Sequence, residues 1–244
     1  MFFLRKFSCL IPLILVVFIF NLNCINKKEA KQHFDEAMRV KNTAMSKAID
    51  ELRIAVKIDP KYAEAHYHLG TLYHHKQLFD QALEEYKTVQ KLDPEFPKLH
   101  YVIGALYYTR GVFAWMKAAQ IDETFLYKDD GTEVFYKEGA DPVKEIGKYK
   151  VLTEEDTTDA LAFYNLRGVY YDLAIIEYQK AIEANPKDTS AHYDLGLVYM
   201  ERGFPDKTKA QIQILENISP GHSLGLQQQM EMEEAQKKML KGGK

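Results

Sequence analysis

The sequence predicts an all-α superhelix, a solenoid of stacked helix-turn-helix units, on three observations: apolar residues recur at helical spacing, the same slots return every 34 residues, and a proline closes the repeating block. The pattern is clearest from Ala63 to Pro94, AEAHYHLGTLYHHKQLFDQALEEYKTVQKLDP. His66, Leu69, Gly70 and Tyr73 fall at i, i+3, i+4 and i+7, on one face of a first helix. Ala82, Tyr86 and Val89 share a face of a second helix that begins near Asp80, after a turn around Gln77 and Leu78. Pro94 cannot continue that helix and biases Asp93 toward an extended conformation, so the second helix stops there. Gly70 has no side chain and marks a place where another helix can approach.

The same slots recur on both sides. Pro60 precedes Pro94 by 34 residues, and Ala48, Leu52 and Ala55 precede Ala82, Tyr86 and Val89 by the same interval. His100, Tyr101, Ile103, Gly104 and Tyr107 follow His66, Tyr67, Leu69, Gly70 and Tyr73. A shift of 92 reaches Leu161, Ala162, Asn165, Ala174, Tyr178, Ala181 and Pro186, and a further 34 reaches Leu195, Gly196, Tyr199 and Pro220. Since 92 is two periods plus 24, the pattern divides into units at about 29–62, 63–96, 97–130, 155–188 and 189–222, with an insertion at 131–154. The first helix of the opening unit fits only with a one-residue shift, through Phe34, Ala37 and Met38. The fifth unit has Thr208 in an alanine slot.

A 34-residue helix-turn-helix with this small/large alternation resembles the tetratricopeptide repeat, with the match running from Glu29 to His222. The resemblance implies that each unit buries its apolar stripe by stacking on the next. It also implies that a second face of each first helix lines a concave groove that holds a protein or peptide partner.

From the start of the chain, residues 1–23 carry Arg5 and Lys6, then the apolar run Leu10 to Phe20, and read as a secretory signal peptide whose core is short for a bilayer span. The ending on Cys24 resembles a bacterial lipoprotein signal, in which the cysteine becomes the lipidated first residue. Asn21 and Asn23 make the box a relaxed one, and an uncleaved anchor or ordinary signal cleavage are the alternatives. A chain beginning at Cys24 keeps one of the two cysteines, so it forms no internal disulfide. It also loses Arg5 and Lys6 and no acid, which leaves 30 basic against 35 acidic residues, a net charge of −5 that does not suggest nucleic acid. Residues 24–30 read as a polar tether.

Within and before the insertion, Phe125 to Tyr127 and Val134 to Tyr136 flank Asp129-Asp130-Gly131, which predicts a short β-hairpin or loop. Tyr127 and Tyr136 are its candidate contact residues. The segment is either a tolerated surface loop or an element that recognises a partner. Residues 223–244 read as a polar capping helix and tail, with Met232, Ala235 and Met239 at i, i+3 and i+7.

No phosphate loop, Gly-x-Ser-x-Gly, Cys-x-x-Cys or His-Glu-x-x-His is present, so the chain reads as a non-enzyme without a cofactor. His66, His68, His74 and His75 include no pair one turn apart at i and i+4, and His66 repeats as His100 and His192, so packing rather than metal binding is expected. The candidate groove face is Glu64, Tyr67, Thr71, His74 and His75 in the clearest unit, about 130° around the helix from the packing stripe. The resemblance carries it to Lys98, Tyr101, Ala105, Tyr108 and Thr109, and to Tyr193, Leu197, Met200 and Glu201. This surface, rich in Tyr and His, suits an extended or helical peptide. Tyr67 and Thr71 stand where carboxylate-clamping repeats carry Lys and Asn, so clamping of chaperone tails is not expected. The function expected is a lipid-anchored scaffold or adaptor that binds other envelope proteins, similar to lipoproteins that assist assembly of envelope complexes. It would be exported and attached to the inner or outer membrane, facing the periplasm. The alternatives are a self-associating structural lipoprotein and an enzyme with its site in the insertion.

Overall fold

The structure, a computed structural model, describes residues 26–121 and 160–242. These contain nine helices and no strand: α1 (26–40), α2 (Met45–Ile58), α3 (Ala63–His75), α4 (Phe79–Leu92), α5 (Leu99–Ile121), α6 (Ala160–Ala184), α7 (Thr189–Glu201), α8 (Pro205–Ile218) and α9 (Pro220–Gly242). The signal segment, Cys24, the predicted hairpin and both of its tyrosines lie outside the described residues. Two compact units divide the chain at Pro97 and Lys98.

The first unit holds two helix pairs, α1 with α2 and α3 with α4. Ala48, Ile49, Leu52 and Ala55 form the buried stripe of α2 and pack with Phe34, Ala37 and Val40 of α1 and Ala65, Leu69 and Leu72 of α3. The first pair therefore completes its core on the second. Gly70 is the close contact within the second pair, because a Cβ there would lie 2.8 Å from the Tyr86 ring. Residues 26–30, expected as a tether, are instead the start of α1. Nothing in Asn26 to Ala30 breaks a helix, and Ala30 is fully buried.

Repeats end by a common device. Pro60, Pro94 and Pro186 stop α2, α4 and α6, and the residue before each proline folds the chain over. Asp59, Asp93 and Asn185 accept hydrogen bonds from the backbone N–H groups of Lys61, Glu95 and Lys187, two residues on, at 3.1, 3.2 and 3.3 Å. In the turns between paired helices, Gln77 and Gly203 both take positive φ, 61° and 71°.

The second unit departs from the expected division. Residues 160–184 are one continuous helix of 25 residues, so no helix-turn-helix spans 155–188. Its partner is α5, 23 residues long, whereas α2, α3, α4, α7 and α8 have 13 or 14. Gly104 meets Tyr178 as Gly70 meets Tyr86, with a Cβ again 2.8 Å from the ring. The segments expected as third and fourth units are thus the two halves of a single repeat, and the long connection lies inside it rather than between repeats. The interval of 92 is one period plus 58, not two periods plus 24. The described residues form four repeats and a cap.

The fourth repeat, α7 with α8, begins at an Asp188 N-cap that accepts from the N–H groups of Ser190 and Ala191, both at 3.1 Å. Thr208 fills its alanine slot without an orphaned oxygen, because the hydroxyl donates to the Gly196 carbonyl at 3.3 Å. Helix α9 packs on α8: Leu226 meets Ile212 and Leu215, and Ser223 donates to the Ile212 carbonyl at 3.1 Å.

Candidate functional site

The first helix of each repeat carries two kinds of residue, those that lock it to its own second helix and those that look away from it. A histidine does the locking. His33 Nδ1 stands 2.7 Å from Glu51 Oε2, His66 Nδ1 2.6 Å from Glu85 Oε2, His100 Nδ1 2.7 Å from Glu177 Oε2, and His192 Nδ1 2.7 Å from Gln211 Oε1. Partners lie 18, 19 and 19 residues apart in the first, second and fourth repeats but 77 apart in the third, the 58-residue excess again. The second ring nitrogen of His66 faces the Pro60 carbonyl at 3.2 Å, and that of His192 faces the Pro186 carbonyl at 3.1 Å, which ties each repeat to the stop before it. These histidines are packing residues. Among the described residues no group of three His, Cys, Asp or Glu is placed to hold a metal ion.

On α3 lie five of the residues expected on the groove face. Glu64 and His75 are exposed, and Tyr67, Thr71 and His74 are half-buried. The Tyr67 ring lies 5.0 Å from Phe96 and 5.2 Å from His68, and Thr71 donates back to the Tyr67 carbonyl at 3.0 Å. Beneath it the buried Phe34 of α1 packs 5.6 Å from His68 and 5.1 Å from Tyr62. Burial holds the Tyr67 phenol above its ordinary pKa. It holds His68 and His74 below theirs, helped at His68 by Lys41 and at His74 by His75. The face is amphipathic and weakly charged, a surface for apolar contact with hydrogen-bonding tips.

The corresponding residues of the second unit are mostly spent on its own packing. Tyr101 donates to Asp194 Oδ2 at 3.0 Å and lies 5.9 Å from the Tyr178 ring. Tyr108 stacks on Tyr171 at 5.5 Å, and burial, then the charges of Glu201 and Asp194, push its phenol up to about 12. Thr109 donates to the Ala105 carbonyl at 2.8 Å. Tyr193 packs edge-on to His222 at 5.6 Å, and Leu197 joins the α8–α9 cluster. Met200, expected on the groove face, is buried, and Glu201 pairs with Arg167 at 2.9 Å. Glu201 is reached by the additional N-terminal turns of α6, which bring Arg167 beside the end of α7. Lys98 is exposed and sits in a left-handed conformation, φ 62°, at the entry to α5.

Sequence reasoning missed a buried ionic cluster here. The Arg167 guanidinium lies over Trp115, Tyr164 and Tyr171, 5.8, 5.7 and 5.3 Å from their centroids. Arg202 grips Asp172 with two hydrogen bonds of 2.8 and 3.2 Å. Burial holds the carboxyls of Asp172 and Asp194 above their ordinary range, against the pull of Arg202 and of the Tyr101 hydroxyl respectively. Arg167 belongs to turns of α6 that no other repeat has, so no periodicity could flag it. Asp194 takes the slot of His68, and that substitution was the available signal. At the α8–α9 turn Ser219 Oγ meets His222 Nδ1 at 2.7 Å, a local contact three residues apart in the place where the other repeats have their Asp or Asn turn.

The TPR repeat family model matches residues 45–77, 73–111 and 170–203. Each match joins the second helix of one repeat to the first helix of the next, α2 to α3, α4 to α5 and the end of α6 to α7. No curated protein matches the chain. Among solved structures, MamA is 22% identical, with 78% of this chain and 91% of that one covered and a TM-score of 0.35. PilF of Pseudomonas aeruginosa is 15% identical, with 84% of each covered and a TM-score of 0.37. YrrB, a TPR protein with an unusual peptide-binding site, is 18% identical, with 84% and 93% covered and a TM-score of 0.30. By its helix pairs and the repeat pattern it carries, the chain is an all-α helical repeat of the tetratricopeptide type.

Proposed function

We propose that this chain is a lipid-anchored scaffold of the bacterial cell envelope that holds a peptide segment of another envelope protein against the open face of α3 and so assists assembly of an envelope complex. The observation that carries the reading is the contrast between equivalent faces. On α3, Glu64 and His75 stay exposed beside the half-buried Tyr67, Thr71 and His74, whereas on α5 and α7 Tyr101 is committed to Asp194, Tyr108 to Tyr171 and Glu201 to Arg167. A surface left amphipathic and partly open to solvent is where a partner's side chains gain most. Attachment at Cys24 would keep that surface at a membrane.

A photo-crosslinking residue placed at Glu64 or His75 in living cells is expected to give discrete protein adducts, and one at the exposed Lys87 on the opposite helix of the same repeat is expected to give none. Equal adducts from all three positions would remove the groove assignment.

A further inference from the structure

The outer side of α9 is not explained by capping. Ser223, Leu226 and Met230 face the array, but Leu224, Met232 and Met239 are 56%, 65% and 77% exposed on the opposite side. At 100° per residue, Gln228, Met232, Ala235 and Met239 fall within a 60° arc and are spaced four, three and four apart. That is the spacing of a coiled-coil seam two heptads long. All four are at least partly open to solvent, and α9 runs 23 residues, well past its last buried contact at Leu226.

The charges beside the seam select an occupant and a direction. Glu231 and Lys238 each immediately precede a core methionine, so both sit at the g position of the heptad. In an antiparallel pair, g positions of the two helices face each other. Glu231 of one copy then meets Lys238 of the second, and Lys238 meets Glu231, two complementary contacts from one two-fold axis. In the same register Met232 packs on the short Ala235 of the second copy, and Met239 lies along the aliphatic stem of Gln228. A parallel pair would set g against e, Glu231 against Gln236, and gain neither contact.

We infer that two copies of this chain associate through the outer faces of α9, antiparallel, with Met232, Ala235 and Met239 in the seam and Glu231 facing Lys238 on either side. The inference does not rest on the peptide-binding reading, since the α3 face takes no part in it.

The test is sedimentation equilibrium of the full-length chain in a density-matched nonionic detergent, with helical signal and melting temperature recorded for every variant. A monomer–dimer equilibrium is expected. Met232→Lys should raise the dissociation constant roughly tenfold or more by placing a charge in the seam, and Glu231→Lys should weaken the dimer by setting Lys against Lys. Combining Glu231→Lys with Lys238→Glu should restore it, because the pair is only exchanged. Three results overturn the inference: a wild type that is monomeric throughout, a dimer indifferent to Met232→Lys, and a charge-exchanged variant that stays as weak as Glu231→Lys alone.

Discussion

His68 and His74 show what a repeat costs when it buries an imidazole ring. Burial depresses both pKa values, with Lys41 adding to the effect at His68 and His75 at His74. With the folded pKa below the unfolded value of about 6.5, the unfolded chain takes the proton first as pH falls. These two groups therefore favour the fold at high pH, and that contribution is lost as pH drops through the unfolded pKa toward the folded ones. The variant carrying His68→Gln and His74→Gln lacks this loss. Its melting temperature relative to the wild type is expected to rise as pH is lowered from about 7.5 to about 5.5. A difference that stays flat across that interval would mean the two rings are not buried as neutral groups. His66, His100 and His192 were readable as packing residues because they recur. Their partners Glu85, Glu177 and Gln211 were not, since an acid or amide that reaches across to a histidine looks in sequence like any solvated side chain on the same helix.

Among the elements, α5 and α6 carry the main correction. The slots of Gly104 and Tyr178 were found, but they were assigned to different repeats. Leu161, Ala162 and Asn165 happen to fall in first-helix slots, and no proline or turn interrupts α6 to show that they are instead an extension of a second helix. Helix ends are marked in sequence by stop signals; a helix that simply continues has none. The candidate face on α3 was drawn in the same way as the repeat, from a fixed angular offset to the packing stripe, and its exposure at Glu64 and His75 follows from that offset. The state of its counterpart on α7 was not legible, because Arg167 and the turns that bring it there have no periodic equivalent. The pairing itself can be measured by a double-mutant cycle on His100→Ala and Glu177→Ala. The coupling should be about 1 kcal/mol, similar to that for His66→Ala and Glu85→Ala. Zero coupling for the first pair beside a clear value for the second would separate α5 from α6.

At the scale of the whole chain, no described helix is long and apolar enough to cross a membrane. Under the proposed function, attachment would rest on Cys24. One acyl chain binds a bilayer only marginally, and two or more hold firmly, at about 0.8 kcal/mol per buried CH₂. Cys24→Ser is accordingly expected to release the protein from the membrane fraction or to leave an unprocessed precursor. An intact mass showing unmodified Cys24 in the wild type would end that part of the proposal. The single tryptophan, Trp115, lies under Arg167 in the second unit, so its fluorescence reports unfolding there.

The long connection within the third repeat also sets an order of events during synthesis. Glu85 emerges 19 residues after His66, but Glu177 emerges 77 residues after His100. At about 5–20 residues per second, the second repeat can close within roughly 1–4 s of its histidine appearing, and the third must wait roughly 4–15 s. During that wait α5 is a helix-forming segment without its mate, presenting Leu99, Ile103 and Leu106 to whatever is nearby. If the chain is exported unfolded, the same delay recurs as it threads out on the far side. The third repeat is then the joint that waits longest for its second helix, and the stage at which a chaperone or a second nascent chain has longest to intervene.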